Sequence, residues 1–186
     1  MFVGSDDSED GGVSFEDNQL LQNLLFKRAR LIGTAENKLK LLIDLINQER
    51  DVSHALVYCS DGSMGAKGDG RRHVEETTER LRSECNLRVE PFTAEESQSD
   101  RERLLSGFEE GNIDVLSAIR CLDEGVDVPA TRTAYILASS SNPRQYIQRR
   151  GRILRQHKDK QYAVIHDFVV VAGVNRPTEA MTGKSY

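Results

Sequence analysis

The chain is predicted to form an α/β domain built on an open parallel sheet. Two patterns support this: short apolar runs rich in valine, isoleucine and leucine, and longer stretches of helical periodicity set between them. Strands fit residues 54–59, 87–92, 113–118, 133–138 and 161–168, with helices at about 72–85, 98–110 and 144–154. Alternation of this kind places parallel strands side by side through right-handed crossovers. A length of 186 residues suffices for one well-buried domain with appendages.

Residues 1–17 hold six carboxylates and no lysine or arginine, so the remainder carries +1 of the formal net charge of −5. With its glycines and serines, this start reads as an acidic disordered linker or insert. Residues 18–50 read as connector helices, over Leu20 to Leu31 and Thr34 to Gln48. In the second, Leu39, Leu42, Ile43 and Ile46 make one apolar face. The main domain is expected over 51–172 and an uninformative tail over 173–186.

The first strand, Ala55 to Ser60, is apolar and ends in a hydroxyl. Ligands of open parallel sheets bind at the carboxyl ends of strands, so Ser60 is a candidate phosphate contact beside the alternative of a satisfied turn serine. Gly62 to Gly68 reads as a flexible loop, with Lys67, Arg71 and Arg72 as weak phosphate candidates. Val74, Leu81 and Cys85 should face the sheet from the next helix. Ser97 and Asp100 form a plausible N-cap pair, Leu104, Leu105 and Phe108 an apolar stripe, and Gly111 a stop. His166, inside an apolar run, reads as a strand histidine with a structural partner.

The densest chemistry lies in Gln145-Tyr146-Ile147-Gln148-Arg149-Arg150-Gly151-Arg152-Ile153-Leu154-Arg155. Arg149, Arg152 and Arg155 recur every three residues and project from roughly one face. Guanidinium groups bind phosphate oxygens in pairs and stay charged. A mid-helix glycine costs roughly 1 kcal/mol against alanine, which points to close approach of a neighbour or ligand at Gly151.

This stretch resembles motif VI of superfamily 2 helicases and translocases. Gly125-Val126-Asp127 in the segment 119–129 resembles motif V, Gln98-x-x-Arg101 with Phe108-x-x-Gly111 resembles motif IVa, and Ala55 to Ser60 resembles motif IV. The order is collinear over about 55–155. The resemblance implies a RecA-like open parallel sheet with helices on both faces. It implies Arg152 and Arg155 as arginine fingers, and Gly125, Asp127, Gln148 and Arg149 on the nucleotide side. Ser60, Thr93, Gln98, Arg101 and Arg120 are implied along the nucleic-acid backbone. Ile119 and Arg120 replace the threonine and aspartate that many relatives carry, so contacts there fall to backbone N–H groups or Arg120.

No phosphate-binding Gly-x-x-x-x-Gly-Lys-Ser/Thr loop occurs, and no Asp-Glu-x-Asp/His box. ATP and Mg²⁺ would therefore be held mainly by a first motor domain, an N-terminal RecA-like domain of the same full-length protein. This chain is expected to be inactive alone. DNA is favoured over RNA, on Gln148 and the text around Asp127. A non-catalytic helicase-like binding or scaffolding module and an RNA helicase domain are the alternative readings. Cys59, Cys85 and Cys121 are too scattered for zinc or a disulfide scaffold. A cytoplasmic setting is expected, nucleoid-associated in a prokaryote, with no membrane partner.

Overall fold

The computed structural model describes residues 15–60, 72–119, 128–138, 151, 153–158 and 160–171. Two helices come first, α1 (Phe15–Gly33) and α2 (Glu36–Ile46). Then β1 (Ala55–Tyr58), α3 (His73–Cys85), β2 (Val89–Phe92) and α4 (Gln98–Glu109) alternate. They are followed by β3 (Val115–Ala118), β4 (Thr133–Ile136) and β5 (Val164–Asp167). All five expected strands are present, and the first helix runs longer than its leucines suggested. The helix expected over 144–154 is described only at Gly151 and Ile153, with a turn at Leu154.

The strands form one five-stranded parallel sheet in the order β2-β3-β1-β4-β5. In the central register Leu56 lies beside Leu116 and Ala134. Every residue of β1 and β3 is buried, as expected where both faces of a parallel sheet are covered. Successive side chains then alternate between two cores. Ala55, Val57, Val115 and Tyr135 pack with Leu39, Leu42, Ile43 and Ile46 of α2 and with Val74 and Leu81 of α3. Leu56, Tyr58, Leu116 and Ile136 pack on the other face with Leu104 and Phe108 of α4, together with Ile153. Helices thus cover both faces, the RecA-like arrangement. Cutting a side chain such as Leu116 back to alanine would cost roughly 2–5 kcal/mol.

Local signals agree with this plan. Ser97 Oγ accepts from the N–H of Asp100 at 3.2 Å and caps α4. Gly111, at φ +76°, takes the left-handed turn that ends the α4 region. Pro91 is tolerated in β2 because that strand lies at the sheet edge. His166 stacks on Tyr135 with ring centroids 5.1 Å apart, and the Tyr135 hydroxyl donates to Glu49 at 2.8 Å. It is a structural histidine, as its sequence setting indicated.

Candidate functional site

The carboxyl ends of β1 and β2 gather several of the expected contacts. Ser60 follows β1 and is 8 % exposed. Its N–H donates to Nδ1 of His73 at 3.0 Å. A Cβ placed on Gly33, at the end of α1, would stand 2.8 Å from Ser60 Oγ and 3.6 Å from the Cβ of Ala138. The turn between α1 and α2 therefore covers Ser60, and a side chain at position 33 would force Ser60 to shift. Lys38 of α2 is buried in the same region, donating to the Leu137 carbonyl at 2.6 Å. Burial lowers its pKa, and Asp167 partly opposes this. His73 is fully buried, and its pKa falls from 6.5 to about 4, first through burial and then through the Lys38 charge.

Thr93, after β2, is held by the carboxylate of Glu96. The Thr93 N–H donates to Glu96 Oε2 at 2.6 Å, and its hydroxyl lies 3.0 Å from each carboxylate oxygen. Arg101 reaches the Thr93 carbonyl through a guanidinium N–H at 3.4 Å, while its Nε is buried without a partner among the described residues. The structure thus joins Thr93 and Arg101, eight residues apart, at one strand end. Gln98 points elsewhere: its amide donates to Glu102 at 2.8 Å along the exposed side of α4. Arg72 is paired with Glu95.

Arg155 is exposed and lies just past the turn at Leu154. Buried Ile153 anchors this end of the segment in the core shared with α4. The Ile153 carbonyl and the Thr131 carbonyl accept from one and the same ammonium, that of Lys160. Thr131 precedes β4, so Arg155 belongs to the edge where strands begin. Gly151 is helical and exposed, and a Cβ built there meets nothing within 4 Å. Among the described residues, no neighbour explains the glycine. Arg120, Gly125, Asp127, Gln148, Arg149 and Arg152 lie outside the described residues, as do Lys67 and Arg71.

Sequence reasoning missed His73, Glu96, Lys38 and Lys160. No motif marks them; His73, Lys38 and Lys160 acquire a role through partners distant in sequence, and Glu96 through Thr93 three residues before it. Among the described residues, no group of His, Cys, Asp or Glu gathers to hold a metal ion, and no helix is long and apolar enough to cross a membrane.

Residues 37–157 match the family described as helicase conserved C-terminal domain. Over 73 residues the chain is 40 % identical to the DNA 3'-5' translocase XPB2 of Sulfurisphaera tokodaii, covering 39 % of this chain and 16 % of that protein. Over 101 residues it is 32 % identical to the ATP-dependent RNA helicase eIF4A of Kluyveromyces lactis, covering 54 % and 23 % respectively. The chain thus spans less than a quarter of either curated relative. Among solved structures, the C-terminal domain of the DEAD-box protein Dbp5 superposes with a TM-score of 0.55 at 19 % identity, over 74 % of this chain and 73 % of that one. The C-terminal part of the Fun30 ATPase domain gives 0.52 at 16 % identity, over 70 % and 40 %. These likenesses concern the fold.

Proposed function

Since the chain belongs to the helicase conserved C-terminal domain family, we propose that it is the second motor domain of an ATP-dependent DNA helicase or translocase. The observation that carries this reading is Gly151. A helical glycine with no described residue within 4 Å of its Cβ position, four residues ahead of exposed Arg155, supports the approach of a body outside this domain. A nucleotide held by a first motor domain is that body, and Arg152 and Arg155 are the cations beside it.

ATP bound with Mg²⁺ supplies a phosphoryl group whose transfer spreads negative charge over its oxygens. Within this chain, Arg152 and Arg155 meet that charge with rigid planar donors, while Gly125, Asp127, Gln148 and Arg149 complete the nucleotide side. Thr93 and Arg101, at the carboxyl end of β2, are assigned with Arg120 to the nucleic-acid backbone, while Ser60, covered by the turn at Gly33, is not. Such contacts orient a strand without reading its sequence. The higher identity to a DNA translocase than to an RNA helicase supports DNA. Lacking a phosphate loop, the chain alone should hydrolyse no ATP above background.

The test is steady-state ATPase of the complete motor with saturating DNA, and with RNA in a parallel series. Arg152→Ala and Arg155→Ala should each lower turnover by roughly 10³-fold or more with nucleotide affinity nearly kept, because a finger acts on the transition state. Arg152→Lys should not rescue, and Arg150→Ala should cost far less. Near-normal turnover in the Arg152 and Arg155 alanine variants would rule the catalytic reading out. Stimulation by RNA alone would replace DNA with RNA.

A further inference from the structure

Lys160 sits four residues before β5 and joins two stretches of chain that the motor reading treats separately. Its Nζ donates to the carbonyl oxygens of Ile153 at 2.8 Å, Pro129 at 2.9 Å and Thr131 at 3.1 Å. An ammonium carries three protons, so this set saturates it. Ile153 is the last helical residue of the arginine-bearing segment. Pro129 and Thr131 belong to the turn that follows Asp127 and enters β4, closed by the Thr131 N–H on the Val128 carbonyl at 3.1 Å.

The lysine is itself held in place. Its N–H donates to the His157 carbonyl at 3.0 Å, and the His157 ring lies 3.4 Å from Glu109 at the end of α4. Around the three carbonyls, Val128, Ala130, Thr131 and Ile153 are all buried. Charge-assisted bonds of this kind are stronger than neutral ones, and here they end on backbone atoms. The ammonium therefore fixes where two backbone segments run, independently of the side chains they carry.

We propose that Lys160 is a positioning residue that locks the end of the arginine-bearing helix, at Ile153, to the turn over residues 128–131, so that Arg155 is held in a fixed place against the nucleotide. This rests on the motor reading above. Without the clamp, the helix end and the turn would keep their apolar anchors but lose their common reference point. A displacement of about 1 Å at a catalytic group can cost roughly 100-fold in rate.

The experiment compares Lys160→Met, which keeps the stem and removes the donors, with Lys160→Arg and Arg155→Ala in the complete motor. Turnover and KM for ATP are measured at saturating DNA, below the thermal midpoint of every variant. Lys160→Met should lower kcat roughly 10- to 100-fold while KM stays within about twofold, and Lys160→Arg should recover most of the loss. Hydrogen exchange of the isolated chain should also rise together at 128–131 and 153–157 in Lys160→Met. Normal kcat in Lys160→Met beside a collapsed Arg155→Ala would overturn the clamp and leave the motor reading intact. A kcat loss that merely tracks the unfolded fraction would overturn it too. Normal turnover in Arg155→Ala would remove the finger reading, and the clamp with it.

Discussion

The N–H of Ser60 donates to Nδ1 of His73 across 3.0 Å, tying the carboxyl end of β1 to the first residue of α3. The bond requires Nδ1 to be unprotonated, and the depressed pKa of about 4 agrees with this. Below pH 6.5 the unfolded chain takes up a proton that folded His73 refuses until about pH 4. Stability contributed by this site is therefore complete above pH 6.5 and falls as the pH drops from 6.5 to about 4, by roughly 3 kcal/mol. Urea unfolding of the chain across this range should show the decline, and His73→Gln should flatten it. An equal slope in both proteins would remove His73 as the cause.

Glu96 occupies the donors of Thr93 that a phosphate oxygen would need. Glu96→Ala should free them and remove a like charge, tightening binding to single-stranded DNA several-fold at low salt. Arg101→Ala should weaken it, equally on unrelated sequences, with a smaller dependence on salt because fewer counterions are released. Fluorescence anisotropy over a salt series measures both. Weaker binding in Glu96→Ala would mean that the carboxylate supports the site rather than blocking it.

Gly151→Ala separates the needs of the domain from those of its ligand. Among the described residues, no atom stands within 4 Å of the added methyl. Alanine should therefore stabilise the isolated chain by roughly 0.5–1 kcal/mol, through helix propensity and a less flexible unfolded state. In the complete motor the same methyl should lower ATPase, because it stands where the nucleotide side must approach. Thermal unfolding of the chain and turnover of the motor are the two readouts. A variant that is more stable and fully active would show that nothing approaches Gly151.

The sheet and its helices were legible in the sequence because they follow from patterns of neighbouring residues. Apolar runs such as Ala55 to Tyr58 must be covered on both faces, and the helical stripe of Leu39, Leu42, Ile43 and Ile46 covers one of them. The arginine segment was legible through residue type and spacing, and the family match over 37–157 agrees with the fold and family that the motifs implied. Tertiary structure alone decided what each polar side chain meets. Ser60 is covered by Gly33 and bonded to His73, and Lys38 reaches the Leu137 carbonyl. Lys160, an unremarkable charge in a polar turn, gathers carbonyls from positions 129, 131 and 153. Periodicity is a property of residues a few places apart, whereas a hydrogen bond between distant segments depends on how strands are ordered and crossovers run. That information exists only once the chain has folded.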